Sequence, residues 1–93
     1  MYQVTWNLPR DDNQERRLPA GNYKITVTGL TGQEFIDIDG WDGADWAPIV
    51  IGMHSADSGK IGGGAITVPA SGRLICSLAA TGKTNACKVR ISK

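Results

Sequence analysis

Leu18-Pro19-Ala20-Gly21 and Val68-Pro69-Ala70-Ser71-Gly72 are two copies of one corner. An alternating strand follows each copy, Tyr23-Lys24-Ile25-Thr26-Val27 after the first and Leu74-Ile75-Cys76-Ser77-Leu78 after the second. Proline presets φ for a turn, and glycine accepts the positive φ that a sharp reversal demands. Each copy is therefore predicted to fold two strands back on one another.

Apolar and polar residues alternate along most of the chain, which predicts short strands with one apolar face each. The predicted strands occupy residues 2–8, 23–27, 34–39, 46–52, 65–69, 73–79 and 86–92. Because such strands must bury their apolar faces against a second sheet, we expect an all-β fold. The expected architecture is an antiparallel β-sandwich or a small jelly roll of about seven strands, with a partly open barrel as the competing closure.

The chain of 93 residues is short enough to form a single domain, residues 1–93. The repeated corner predicts two similar halves, roughly 1–52 and 53–93, that contribute comparable hairpins. Pro48 cannot donate a ladder hydrogen bond, so its strand is expected at a sheet edge. An immunoglobulin domain is disfavoured because both cysteines follow every tryptophan.

The charge of the chain does not indicate a particular class of binding partner. The formal net charge is +1, and the lysines and arginines are scattered along the sequence, with Lys88, Arg90 and Lys93 on or just past the outward side of the last strand. We therefore expect neither a nucleic-acid nor a membrane partner. Residues 1–20 contain no apolar run, which predicts a soluble chain without an export signal, complete from Met1.

Two segments lack a strand pattern. Residues 10–17 are wholly polar and are predicted to form a solvated surface connection. Residues 53–64 contain three successive glycines and are expected to be mobile when unbound.

Cys76 and Cys87 share parity with the apolar residues of their strands and are predicted to point inward. If a hairpin turns at Thr81-Gly82, the two cysteines lie directly opposite each other. A disulfide is then conceivable, but without an export signal two buried free thiols are favoured. A zinc site is improbable at this spacing.

The segment 37–45 carries four carboxylates, and Trp41 and Trp46 bracket its acidic turn. An irregular calcium loop is one interpretation, but the register of an EF-hand fails, and an ordinary polar turn is favoured. Trp41 and Trp46 suggest a sugar-binding platform, since a ring face covers apolar C–H surface while Asp accepts from hydroxyl groups. The competing interpretation is that at least one Trp closes the end of a thin core.

No catalytic arrangement is convincing, and we expect a protein that is not an enzyme and needs no cofactor. A Ser/His/Asp triad could be assembled from His54, Asp57 and a serine, but His54 adjoins the glycine-rich segment. Nothing there would hold a catalytic geometry. Gly62-Gly63-Gly64 lacks the Lys and Ser/Thr of a phosphate loop.

The order of these motifs resembles the order found in the small all-β virion proteins of tailed bacteriophages. The similar stretches are Leu18-Pro19-Ala20-Gly21-Asn22-Tyr23, Asp45-Trp46-Ala47-Pro48-Ile49 and residues 66–74, which give a Pro-Ala-Gly corner, a central Trp strand and a second Pro-Ala corner. The resemblance implies a structural role in the virion, as a decoration or cement protein on a capsid or as a small head or tail component. The implied partners are the major capsid protein or another virion protein, and further copies of the chain in a homo-oligomer.

We expect residues 1–17 and 53–64 to contact the shell or neighbouring copies. The candidate partner-binding residues are Arg10, Arg16, Arg17, Trp41, Asp42, Trp46, His54 and Lys60. A carbohydrate-binding β-sandwich that uses Trp41 and Trp46 is the alternative function. A third possibility is an accessory domain that only binds another protein.

Overall fold

The protein is described by a computed structural model that covers residues 2–30, 34–54, 64–79 and 86–93, with the backbone alone at His54 and Gly64. Its elements are the strands β1 (Gln3–Leu8), β2 (Glu15–Arg17), β3 (Gly21–Thr28), β4 (Phe35–Trp41), β5 (Trp46–His54), β6 (Gly64–Val68), β7 (Arg73–Ala79) and β8 (Cys87–Ser92). The expected all-β, antiparallel sandwich is confirmed. The described residues contain no helix long and apolar enough to cross a membrane.

The strands form two four-stranded sheets with the topology of a jelly roll. The first sheet has the order β1-β8-β3-β6, and the second has the order β2-β7-β4-β5. Pairing is antiparallel throughout, and it joins β1 to β8, β2 to β7, β3 to β6 and β4 to β5. This nested pairing is that of a long two-stranded ribbon wrapped around a core. The eighth strand, β2, was not expected.

Both Pro-Ala corners carry the chain from one sheet to the other, so the prediction that each folds a hairpin is wrong. The first corner links β2 in the second sheet to β3 in the first, and the second links β6 in the first sheet to β7 in the second. The corners lie side by side, because the N–H of Leu18 donates to the carbonyl of Gly72 over 2.9 Å. Strands before and after the midpoint pair with each other, so residues 1–52 and 53–93 are not two independent hairpin halves.

The core lies between the sheets and contains the side chains that alternation placed inward. Its fully buried members include Trp6, Ile25, Ile36, Ile38, Leu74, Val89 and Ile91. Neither Trp41 nor Trp46 belongs to this cluster. Of the three tryptophans, Trp6 fills the core instead.

The cysteines are buried as predicted, but their predicted pairing in a hairpin is wrong. Cys76 lies on β7 in the second sheet, whereas Cys87 lies on β8 in the first. The proposed turn at Thr81-Gly82 lies outside the described residues. Both side chains are free thiols. Burial raises the pKa of Cys87 to about 11 and raises that of Cys76 as well, so both thiols stay protonated at neutral pH.

Residues 10–17 lie partly exposed at the surface, as predicted, but they also form the short strand β2 and hydrogen-bond to β7. Asp11 is 8 % exposed. The N–H of Asn13 donates to the carbonyl of Cys76, and a carboxylate oxygen of Asp12 accepts from the N–H of Leu78. The indole N–H of Trp6 donates to the carbonyl of Gln14. Asp12 and Asn13 thus provide hydrogen-bond partners for backbone groups of β7 beyond the end of its pairing with β2.

Pro48 lies on β5, which is an edge strand as expected. Of the segment 53–64, Met53 and His54 extend β5 and Gly64 begins β6. The rest of that segment, with its expected mobility, lies outside the described residues.

Candidate binding surface

The outward face of the second sheet carries a pair of tryptophans. On β4, residues of one parity are buried, and those of the other, which include Trp41, face out. Trp41 and Trp46 pair directly across the β4–β5 hairpin. Their ring centroids are 5.4 Å apart at an interplanar angle of 70°, an edge-to-face contact. The hairpin thus holds two half-buried rings in a fixed relative orientation.

Arg73 completes this surface from the neighbouring strand. Its guanidinium carbon lies 4.8 Å from the ring centroid of Trp41 and 5.2 Å from that of Trp46. Glu15, on β2, accepts from the same guanidinium at 2.8 and 3.2 Å. We call Glu15, Trp41, Trp46 and Arg73 the aromatic–arginine cluster; it draws on all four strands of the second sheet.

The ion pair in the cluster shifts both titrations. The hydrogen bond from Arg73 lowers the pKa of Glu15, against a smaller opposing effect of desolvation. The same bond raises the pKa of Arg73. At neutral pH the arginine is therefore held over the rings by a charged carboxylate.

Glu15→Gln is expected to lower the melting temperature above about pH 5, and the difference is expected to shrink as the pH falls below about 4.3. A carboxyl group whose pKa is lowered by folding contributes stability above its unfolded pKa of about 4.3, and that contribution is lost as the pH falls through the folded pKa. Melting curves of both proteins between pH 7 and pH 3 provide the measurement. A difference that persists unchanged at pH 3 would contradict the role given to this ion pair.

The acidic turn after β4 is held by its own backbone. A single carboxylate oxygen of Asp42 accepts from the N–H groups of Ala44 and Asp45, each at 2.8 Å. These bonds lower the pKa of Asp42. Asp37 accepts from the N–H of Gly52 on β5. The described residues contain no group of three or more His, Cys, Asp or Glu side chains placed to hold a metal ion, and the hydrogen bonds are those of a polar turn.

The predicted arginines lie away from this cluster or at its margin. Arg10 is exposed and pairs with Asp11 at 3.1 Å. Arg16 also pairs with Asp11, and it donates to the carbonyl of Thr5 in the other sheet, so it joins the two sheets at their edge. Arg17 is exposed and pairs with Glu15 at 3.2 Å.

Among the remaining predicted residues, the structure brings together Trp41, Asp42 and Trp46 at the β4–β5 hairpin. The backbone of His54 pairs with that of Phe35 at the far end of the same two strands. Lys60 and Asp57 lie outside the described residues. The sequence did not single out Arg73 or Glu15. Alternation places Arg73 on the outward face just after the second corner, so it could have been found. Glu15 could not, because it lies on strand β2, which was not expected.

The outward face of the first sheet is cationic, because Lys24 joins the basic residues that the sequence placed on the outward side of the last strand. Lys24 on β3 and Lys88 and Arg90 on β8 are exposed, and Lys93 follows β8. The other outward side chains of the four described strands are neutral: Gln3, Thr5, Asn7, Asn22, Thr26, Thr28, Ala65, Thr67 and Ser92. The outward side chains of the described strands of this sheet thus carry positive charge and no negative charge, although the net charge of the whole chain is only +1. We call this surface the cationic face.

No protein family, curated protein or solved structure matches the chain. What the protein binds therefore has to follow from its own surfaces.

Proposed function

We propose that this protein is a non-enzymatic structural component of a tailed-bacteriophage virion, which decorates or stabilises the capsid or serves as a small head or tail component. The observation that carries the proposal is the aromatic–arginine cluster on an open sheet face. Tryptophan and arginine are the residues most enriched among the few that dominate protein–protein binding energy. The resemblance of the corners and of the Trp strand to small virion proteins supplies the biological setting.

The cluster is held rigidly on the sheet, which favours docking to a partner. Trp41, Trp46 and Arg73 stand on paired strands rather than on loops, and their mutual contacts restrict their rotamers before any partner arrives. Pre-ordered side chains lose less conformational entropy on binding. The adjoining corner adds a bond from the hydroxyl of Ser71 to the carbonyl of Trp41 at 2.7 Å, which ties the end of β4 to the second corner.

The alternative, a sugar platform formed by Trp41 and Trp46, stays a prediction. A sugar ring stacks on the face of an aromatic ring. The guanidinium of Arg73 lies over both rings, at 4.8 and 5.2 Å from their centroids. A sugar would have to displace this cation from the faces it covers, whereas a protein carboxylate or carbonyl group would use it as a donor. The contacts therefore favour a protein partner for this cluster.

Co-sedimentation tests the proposal. The purified protein is mixed with phage heads assembled from the major capsid protein of the same genome. The fraction of the protein in the pellet is then compared with that in a sample without heads. We expect saturable attachment of many copies per head. Protein that stays in the supernatant with heads, and that is instead retained on an array of neutral glycans, would overturn the proposal in favour of the carbohydrate-binding alternative.

A further inference from the structure

We propose that the cationic face binds an acidic polysaccharide, with one acidic sugar unit seated in a groove centred on Lys24. This inference concerns the sheet opposite the aromatic–arginine cluster and does not depend on the role in the virion. It assigns the site to residues that no prediction from the sequence singled out, apart from the cations on the last strand.

The groove exists because Lys24 has small neighbours on both sides. In the registers of the first sheet, Lys24 pairs with Ala65 on β6 and with Ser92 on β8. The side chains of Ala65 and Ser92 are too short to fill the space beside the lysine stem. The resulting open groove has a volume of about 270 Å³ and is lined by Asn22, Tyr23, Lys24, Ala65, Ser92 and Lys93. This size lies just below the range of about 300–1,000 Å³ that holds drug-sized ligands, so the groove suits one small unit of a chain.

The accessible surface of the groove is mostly apolar, as suits the C–H face of a sugar ring, and its few polar groups can bind hydroxyl groups. The hydroxyl of Thr67 donates to the side-chain oxygen of Asn22 at 2.9 Å. This bond turns the amide so that its NH₂ group is directed away from Thr67 and remains a donor. Ser92 offers a hydroxyl that both donates and accepts. Lys93 places its ammonium beside Gly21 at the start of β3 and 5.2 Å from the ring centroid of Tyr23, whose side chain is buried, so this cation lies at one end of the groove rather than in the outward row.

The charges continue beyond the groove in a row. Outward residues of one strand repeat about every 7 Å, so Lys88 and Arg90 extend the row of cations along β8. Repeated cations fit a polymer that carries repeated anionic groups, and the threonines that pair with them on the neighbouring strands fit its hydroxyl groups. Single-stranded nucleic acids bind on exposed aromatic side chains. None of the outward residues on the described strands of this sheet is aromatic, which favours the polysaccharide.

Binding of polygalacturonate to the purified protein, measured by titration calorimetry at about 0.15 M salt, provides the test. We expect binding to polygalacturonate and none to neutral dextran. Ala65→Phe fills the groove at an exposed position without changing any charge and should weaken binding at least tenfold. A double variant that carries Lys24→Gln and Lys93→Gln should also weaken binding at least tenfold. The matched control, Arg10→Gln with Arg17→Gln, removes two positive charges elsewhere on the surface and should leave the affinity within twofold.

Each other result overturns the inference. Equal weakening by the control pair would mean binding by overall charge, and full binding by Ala65→Phe would mean that the groove is not the site. Tighter binding to double-stranded DNA than to polygalacturonate would assign the cationic face to a nucleic acid. Absence of binding by the wild-type protein would remove the site altogether. Circular dichroism and melting curves confirm that each variant is folded, and the lysine pair keeps the test valid if Ala65→Phe does not fold.

Discussion

Gly72→Ala is expected to lower the free energy of unfolding by about 2–5 kcal/mol, a large part of the stability of a small domain. Gly72 has a φ of +70°, a conformation that costs a residue with a side chain about 1–2 kcal/mol. In addition, an added Cβ would lie 2.4 Å from the carbonyl oxygen of Leu18, a backbone atom that cannot move without displacing the other corner. The substitution therefore strains the contact that holds the two corners together.

Gly52→Ala is the matched control for this prediction. Gly52 has a similar φ of +60°, but an added Cβ would meet no atom within 4 Å. Its substitution should cost only the backbone strain, about 1–2 kcal/mol. Urea denaturation of the three proteins measures the difference. Equal losses for the two alanine variants would show that the contact between the corners contributes nothing beyond the conformation of the glycine.

Trp46→Ala is expected to weaken attachment to phage heads by at least about 30-fold, which corresponds to about 2 kcal/mol or more. The substitution removes one ring of the aromatic–arginine cluster, and with it the edge-to-face partner of Trp41 and one of the two rings beneath Arg73. Trp46 lies outside the core cluster, so the fold is expected to persist. Binding curves from co-sedimentation at increasing protein concentration give the change in affinity.

Tyr2→Ala is the control for that loss. Tyr2 is an aromatic residue with 55 % of its surface exposed, and it lies just before β1 in the first sheet. Its removal should leave attachment within about twofold if the cluster is the docking surface, whereas a loss would instead support the predicted contact of residues 1–17 with the shell. If both variants lose attachment equally, or if Trp46→Ala keeps it, the cluster is not the docking surface.

Alternation alone was enough to find most strands and the direction of their side chains. The inward faces of β3, β4, β7 and β8 follow directly from a period of two, because one face of each strand is buried in the core. The strand β2 escaped detection because Glu15-Arg16-Arg17 contains no apolar residue, and its pairing with β7 is satisfied by backbone groups and ion pairs. Local pattern carries no signal for such a strand.

Which sheet each strand joins was also beyond the sequence. A Pro-Ala-Gly corner reverses the chain equally well within a sheet or between sheets, and the choice depends on pairing with strands about 50 residues away, as between Gly21 and Val68. The same long-range pairing brings Arg73 to the tryptophans and gathers Lys24 and Arg90 on one face. Half of the candidate surface, the pair of Trp41 and Trp46, was visible in the sequence because both residues flank one hairpin.

Radical footprinting of the head-bound protein reports which side chains the partner covers. We expect oxidation of Trp41 and Trp46 to fall at least fivefold on attachment. Oxidation of Tyr2, which is exposed beside the opposite sheet, should remain as it is in the free protein. Unchanged oxidation of both tryptophans in protein that has demonstrably sedimented with heads would contradict the assignment of the aromatic–arginine cluster as the docking surface.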